Sequence, residues 1–318
     1  MRIRIFDAAP MQIVYCASNS LDWACPSNGV YYLALASEAQ GPFDLRVFRH
    51  LAGGFNDYDG DGRADLAVYD PVNGLWYVRT VAGANLAWAA QLGGVGQEPA
   101  PGDYDGDGRC ELAVQDEAAG LWYARTTAGS NVLWQVPWGA PGLAPVWGDY
   151  DGDGRCDLAV HGAGTWYIHG AAGINIAWAF AWGGYGFIPV PGDYDGDGAG
   201  DLAVYHEASG LWYIARPDGS LIQWACWWGA PGLSPVWGDY DGDGVSDLAL
   251  YDASAGRWFI VTLQGRLLAW GTRWGGVGYT PVPGDYDGDG AFDLAVYDRT
   301  SGAWYIGFVS GEIMRWSL

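Results

Sequence analysis

The sequence contains no lysine, four histidines and three methionines, and its whole basic complement is 15 arginines against 37 acidic residues. Without a basic stripe there is nothing to neutralise a phosphate backbone, so nucleic acid is excluded as a partner. No apolar run approaches the roughly 20 residues of a membrane-spanning helix, so no membrane insertion is expected. Met1-Arg-Ile-Arg-Ile5 is too short and too polar to be a secretory signal, so an export signal is expected outside this sequence. The scarce histidines, His50, His161, His169 and His206, fall in different registers, although His161 and His206 lie one aligned position apart in neighbouring units. No unique catalytic constellation emerges, and the chain is expected not to be an enzyme.

Cysteine is also sparse. Cys16 and Cys25 could pair within the N-terminal segment, and Cys226 has no obvious partner. Cys110 and Cys156 occupy the same place in successive repeats, a separation usually too large to bridge, so both are expected to be free thiols.

What the chain does have is aromatics and turns. Half of its residues are apolar, 20 are Trp, and 51 Gly and 16 Pro punctuate it, a composition of short strands joined by tight turns. The stretch Asp57-Tyr-Asp-Gly-Asp-Gly-Arg-Ala-Asp65 returns at Asp103, Asp149, Asp193, Asp239 and Asp285, in steps of 46, 46, 44, 46 and 46 residues. A fixed period of this size means one array, not two unrelated domains. We therefore read residues 1–318 as a single domain, with 1–52 a degenerate blade or cap and repeat units at 53–98, 99–144, 145–188, 189–234, 235–280 and 281–318.

Each unit holds four short apolar segments. In the fourth copy they are Pro189–Asp193, Asp201–Tyr205, Leu211–Ala215 and Leu221–Ala225, separated by His206-Glu-Ala-Ser-Gly210 and Pro217-Asp-Gly-Ser220, the spacing of hairpins in a meander. Tryptophans hold two registers. One is Trp76, Trp122, Trp166, Trp212, Trp258 and Trp304; the other is Trp88, Trp134, Trp178, Trp224, Trp270 and Trp316. Both series are expected in the core between units. The second segment is apolar or small on both faces, as in Leu66-Ala-Val-Tyr69, so each sheet needs covering on both sides. Four-stranded sheets with two covered faces, repeated at this period, are satisfied by packing around an axis. The fold class is an all-β β-propeller.

Seven blades are expected, six with acidic loops and a degenerate one at the N-terminus, with six plus a cap as the alternative. In residues 1–52, Gln12–Tyr15, Gly29–Leu35 and Phe43–Ala52 match the second, third and fourth strands, and Phe6-Asp-Ala-Ala-Pro10 stands where the acidic loop should be. The last unit carries its own fourth strand at Ile313–Trp316, leaving Arg2–Phe6 as the candidate for closing the ring. A second period is visible. Trp138-Gly-Ala-Pro-Gly-Leu-Ala-Pro-Val-Trp147 recurs as Trp228-Gly-Ala-Pro-Gly-Leu-Ser-Pro-Val-Trp237, which implies alternating chemistry around the rim.

The six loops hold four carboxylates each, 24 of the 37 acidic residues, so the net charge of −22 is localised. Positions 1, 3, 5 and 9 are Asp57, Asp59, Asp61 and Asp65 in the first loop. They are Asp103, Asp105, Asp107 and Glu111 in the second, and Asp149, Asp151, Asp153 and Asp157 in the third. The remaining loops have Asp193, Asp195, Asp197 and Asp201; Asp239, Asp241, Asp243 and Asp247; and Asp285, Asp287, Asp289 and Asp293. Gly at positions 4 and 6 lets the backbone turn around one point. Unit charges about 4 Å apart repel by roughly 4 kcal/mol per pair at an effective dielectric near 20, so a hard cation is expected in each loop. Ca²⁺ suits the all-oxygen set best, with a backbone carbonyl from position 7, at Arg63, Arg109, Arg155, Ala199, Val245 and Ala291. An EF-hand is excluded, because position 12 is a strand Val or Leu and not a Glu. About six Ca²⁺ ions would move the formal charge from −22 to −10.

The run Gly-Asp-Tyr-Asp-Gly-Asp-Gly-x-x-Asp-Leu-Ala-Val resembles the FG-GAP/VCBS repeats of integrin-type β-propellers over about residues 53–318. The resemblance implies a Ca²⁺ ion in the loop between the first and second strands of each matching blade, in proteins that usually work outside the cytosol. It implies no single activity, since function on a propeller belongs to its sites.

The function expected is that of a non-catalytic, Ca²⁺-stabilised binding or adhesion scaffold. Glycan is one ligand class, because exposed Trp and Tyr stack on sugar faces and some fungal lectins resemble this type of propeller. The alternatives are protein–protein adhesion or a structural part of a larger secreted protein, with a polysaccharide-active enzyme behind them. Trp138, Trp147, Trp182, Trp228, Trp237 and Trp274, at the junctions between units, are the candidate ligand residues. The protein is expected to be monomeric and extracellular, at the cell surface or periplasmic, where millimolar Ca²⁺ is available.

Overall fold

The computed structural model describes residues 2–6, 32–36, 56–171, 173–307 and 313–317, with side chains described for 56–171 and 173–307. The chain divides into two compact units, Met1–Ala52 and Gly53–Leu318. In the first, Arg2–Phe6 pairs antiparallel with Tyr32–Ala36, from Arg2 opposite Ala36 to Phe6 opposite Tyr32. The strands expected at Gln12–Tyr15 and Phe43–Ala52, and any Cys16–Cys25 bond, lie outside the described residues.

The second unit is an all-β propeller of four-stranded blades. Blade 2 shows the plan: Gln97–Pro99, Leu112–Asp116, Leu121–Arg125 and Asn131–Pro137 pair antiparallel in chain order. Blades 3 to 6 repeat it, and blade 1 shows its last three strands, Leu66–Asp70, Leu75–Arg79 and Asn85–Gln91. The first strand of each blade is short and precedes the position expected: in blade 4 it is Phe187–Pro189, after which only Gly192 and Asp201 bridge across the acidic loop. Blade 3 is two residues shorter because its second and third strands are joined by Ala163-Gly164 alone, both at positive φ (50° and 79°), the backbone of a two-residue hairpin turn.

Burial falls from the second strand outward. In blade 4, Leu202, Ala203, Val204 and Tyr205 are all buried, the third strand alternates, and the fourth, Leu221–Trp227, is largely open. Covering on both faces therefore holds for the second strand and not for the whole sheet. The two Trp registers part company for this reason. Trp76, Trp122, Trp166, Trp212, Trp258 and Trp304 are at most 2 % exposed. In the first five, the indole N–H donates to the backbone carbonyl 16 residues later, as Trp166 does to Trp182 at 3.0 Å. Trp88, Trp134, Trp178, Trp224 and Trp270, expected in the same core, are 50–68 % exposed.

Six apolar clusters each join one blade to the next, and the sixth joins Tyr286, Ala295, Trp304 and Ile306 of blade 6 to Ala64 and Leu66 of blade 1. Backbone bonds run the same circuit. The amide at loop position 8 donates to the position-1 carbonyl of the preceding loop, in the pairs Cys110–Asp57, Cys156–Asp103, Gly200–Asp149, Ser246–Asp193, Phe292–Asp239 and Ala64–Asp285, at 2.5–2.7 Å. Six blades therefore close on themselves, where seven were expected. The seam between blades 6 and 1 is built like the other five, which leaves no place in the ring for a further blade. Ile313–Ser317 completes blade 6 as its own fourth strand, so closure does not need Arg2–Phe6.

Candidate metal centres and aromatic rim

Each acidic loop is folded by its own carboxylates. The position-1 Asp accepts amides from positions 4 and 6: Asp57 from Gly60 and Gly62 at 2.7 and 2.9 Å, Asp239 from Gly242 and Gly244 at 2.7 Å each. Both glycines sit at positive φ, 76° and 85° in the first loop, where a side chain would be strained. The position-5 Asp accepts the amide of position 7, as Asp61 does from Arg63 at 2.9 Å and Asp197 from Ala199 at 3.0 Å. The position-9 carboxylate accepts the amide of position 2, as Asp65 does from Tyr58 at 2.8 Å, and Glu111 does so from Tyr104 at 2.9 Å despite its extra methylene.

Position 2 was not singled out in the sequence, yet it anchors the loop. Tyr58, Tyr104, Tyr150, Tyr194, Tyr240 and Tyr286 are buried, and the Tyr194 hydroxyl donates to the Val190 carbonyl at 3.0 Å. A Tyr always between two Asp was the available signal. It marks a core residue inside a polar run, and so ties the loop to the blade interface.

Among the described residues, six groups of three carboxylates each bring one oxygen apiece within 4.8 Å of one another, among them Asp57, Asp59 and Asp61; Asp103, Asp105 and Asp107; Asp149, Asp151 and Asp157; Asp193, Asp195 and Asp197; and Asp239, Asp241 and Asp247. The buried oxygens of Asp195 and Asp241 accept no hydrogen bond from their own loops. Burial, reinforced by neighbouring carboxylates and opposed by the loop amides, raises Asp65 to about 7, Glu111, Asp157, Asp201 and Asp293 to about 8, Asp149 and Asp239 to about 6, and Asp247 to about 7. An all-oxygen set that is costly to ionise without a counter-charge fits a hard divalent cation.

Arginine reaches these loops in two ways. From position 7 the stems of Arg109 and Arg155 lie against Gly60 and Gly106 of the preceding loop, and Arg63 lies against Gly288 across the seam. From the turn between the third and fourth strands, Arg216 pairs with Asp195 and Asp197, and Arg266 with Asp241.

The outer rim is aromatic. Exposed Trp88, Trp134, Trp178, Trp224 and Trp270 stand edge-on to Tyr77, Tyr123, Tyr167, Tyr213 and Phe259, with centroids 5.1–5.5 Å apart and planes at 85–86°. The residue after each Trp lies at positive φ: Ala89, Gln135, Ala179 and Ala225 at 53–56°, and Gly271 at 67°. A bulge in the fourth strand at this point turns the indole outward. Three of the expected ligand residues meet this series. Half-buried Trp138, Trp182 and Trp228 lie 5.8, 5.9 and 5.6 Å from Trp178, Trp224 and Trp270 of the following blade. Trp274 lines a recess with Tyr279, Val296 and Tyr305. Trp147 and Trp237 instead meet each other at 4.2 Å although their blades are not adjacent, and Trp237 touches Phe292 of blade 6 at 5.0 Å.

The described histidines have separate partners. His161 is buried against Trp166 at 4.8 Å, His169 stacks on Trp138 at 4.7 Å, and His206 bonds Ser209 at 2.7 Å. Cys156 and Cys226 are free thiols, Cys110 is buried, and burial holds Cys156 up at about 12.

A family model described as FG-GAP-like repeat matches residues 57–114, 103–160 and 193–250. No curated protein sequence matches the chain. Among solved structures, the chain is similar to an Agrocybe aegerita lectin described as recognising non-reducing terminal N-acetylglucosamine, at 15 % identity and a TM-score of 0.53, over 99 % of this chain and 89 % of that one. It is also similar to a catalytically inactive virginiamycin B lyase from Staphylococcus aureus with quinupristin, at 12 % identity and a TM-score of 0.47, over 83 % and 86 % of the two chains. Identities this low show the fold alone.

Proposed function

The chain belongs to the FG-GAP-like repeat family, and on that premise we propose that it is a calcium-stabilised, non-catalytic binding propeller that works outside the cytosol and takes glycans on its aromatic rim. The observation that carries the glycan reading is the row of five indoles, 50–68 % exposed, each fixed edge-on against a second ring. A Trp left in water and held rigid has its face free to stack on the apolar face of a sugar at little cost in side-chain entropy. Four of the five are followed by a non-Gly residue at positive φ, a conformation the chain adopts at a cost of order 1 kcal/mol, and such strain gathers at functional positions. Repetition gives several equivalent sites and hence avidity on a multivalent ligand.

Calcium in this reading is structural. When bound, it would neutralise the carboxylates of each loop; Asp57, Asp59, Asp61 and Asp65 and their five sets of equivalents would hold it. The carboxylates themselves fold the loop, and the position-2 Tyr couples it to the blade interface, so metal and ring stability are linked.

The lectin makes glycans ending in N-acetylglucosamine the first ligands to test. A glycan array probed in Ca²⁺ and in chelator, with Trp178→Ala, Trp224→Ala and Trp270→Ala variants, decides the matter. Binding of defined sugars that falls at least tenfold in variants with unchanged melting supports the proposal, and silence from the folded, metal-loaded protein sinks it.

Protein adhesion is supported by a different observation. Val95, Tyr185 and Val277 are 81–102 % exposed at alternate junctions, at the end of the blades opposite the acidic loops, and offer apolar contacts to a protein partner.

A further inference from the structure

The acidic loops are alike in sequence but not in how their position-3 carboxylate is held. Asp59, Asp105, Asp151 and Asp287 each accept the amide of position 5 within their own loop, at 3.1–3.2 Å. Asp195 and Asp241 do not; their oxygens accept nothing from their own loops and are met instead by Arg216 and Arg266. The Asp241 side chain is 8 % exposed and that of Asp195 is 16 %, so each is a buried charge whose counter-ion comes from outside the loop. The turn that supplies it lies beside the acidic loop in blades 3, 4 and 5, where Gly170, Arg216 and Arg266 lie against Asp151, Asp195 and Asp241. It closes by the same backbone bonds in blades 4 and 5, Gly219 to Arg216 at 2.9 Å and Gly265 to Thr262 at 2.8 Å. Where blades 4 and 5 carry arginine, blades 1, 2 and 3 carry Thr80, Thr126 and Gly170 at the first of these positions and Ala84, Ser130 and Ile174 at the second.

We propose that Arg216 and Arg266 are resident counter-cations of the blade 4 and blade 5 loops, which hold those carboxylates when divalent metal is scarce and must swing aside for it to bind. The inference rests on the calcium reading of the loops and deepens it. A guanidinium in contact with a carboxylate that the ion needs repels the ion and occupies one of its ligands. The loops then load in two classes, with blades 4 and 5 last. The blade 3 loop is the opposite extreme among the described residues. Ala199, not an arginine, follows it at position 7 of the next loop, and Gly170 lies beside Asp151.

The test is calorimetric titration of the full chain with Ca²⁺, together with melting in chelator, on the wild type, the Arg216→Gln/Arg266→Gln double variant and an Arg257→Gln/Arg273→Gln control. The control removes the same charge from facing positions on the third and fourth strands of blade 5, away from its acidic loop. The expected result is that the Arg216/Arg266 variant tightens two sites by on the order of tenfold, melts lower than wild type in chelator, and melts level with it in saturating Ca²⁺, while the control leaves the isotherm unchanged. Weaker Ca²⁺ binding by the variant, or an isotherm equal to wild type, overturns the proposal, as does an equal effect in the control. If the wild type takes up no Ca²⁺, the calcium reading fails and the competition fails with it. Melting in chelator then shows separately whether the two arginines hold their loops, and a variant as stable as wild type there would end that role too.

Discussion

The backbone amide of Ala64 donates to the carbonyl of Asp285 at 2.6 Å, although 221 positions separate them, and this bond repeats the one that joins every other pair of neighbouring loops. It makes blade 1 the neighbour of blade 6. The acidic loops are thus more than six separate metal sites. They form a hydrogen-bonded circuit in which each loop is braced by the next, so whatever stiffens a loop also stiffens a blade seam.

The seam is open to a direct test at Gly284, because a Cβ placed there would lie 2.8 Å from the Cβ of Ala64. Gly284→Val should force blades 6 and 1 apart and cost about 1–3 kcal/mol by overpacking. Urea unfolding measures it. A variant as stable as wild type would mean that these two blades are not in contact.

Chelation should lower the melting temperature. For a site with a Kd of about 10⁻⁴ M at about 1 mM free Ca²⁺, linkage gives about 1.4 kcal/mol per site. Differential scanning calorimetry with and without chelator reads the sum. An unchanged transition, with the ions shown by elemental analysis to have been present and then removed, would sink the structural role of the metal.

The metal-free protein should lose stability as pH rises. Its position-9 groups Asp65, Glu111, Asp157, Asp201, Asp247 and Asp293 sit at about 7 to 8 in the folded state, raised chiefly by burial. In the unfolded chain they titrate near 4. The folded state therefore binds more protons between about pH 4 and pH 8, so stability is full below that window and is lost across it. His161, lowered by burial, acts in the opposite sense below about 6.5, but it is one group against several. In chelator the urea midpoint should be higher at pH 5 than at pH 8.5, and Ca²⁺ should remove most of the difference. A midpoint in chelator that rises with pH would refute this.

Blade architecture was legible because the repeat makes every structural constraint visible six times. The loops, the turns and the buried Trp76 series all follow from period and pattern. Blade number was not legible, because closure depends on the contact between Ala64 and Gly284, and Pro283-Gly-Asp285 reads like the internal Pro101-Gly-Asp103 and Pro191-Gly-Asp193. The exposure of the Trp88 series was also hidden. Its strict recurrence looks like that of a core residue, and what turns it outward is a bulge at Ala89, Gln135, Ala179 and Ala225, residues with no preference for positive φ. Trp147 and Trp237, present only in alternate blades, looked like surface variation and instead pack on each other between non-adjacent blades.

The two tryptophan registers should separate cleanly on substitution. Trp166 is fully buried, gives its indole N–H to the Trp182 carbonyl at 3.0 Å and packs under Tyr150. Trp166→Ala should cost about 3–5 kcal/mol, since it leaves a cavity and an unpaired carbonyl between blades. Trp178, in the same blade, is 65 % exposed and keeps ring contacts with Tyr167 and Trp138 at 5.4 and 5.8 Å. Trp178→Ala should cost no more than about 1.5 kcal/mol. Chemical denaturation of the two variants in Ca²⁺ measures the contrast. If Trp178→Ala proves as damaging as Trp166→Ala, the outer indoles are a second structural layer, and their exposure no longer argues for a ligand. If it is nearly silent in stability, the chain keeps a row of rigid, strained and solvent-exposed indoles that folding does not require, and binding is what remains to account for them.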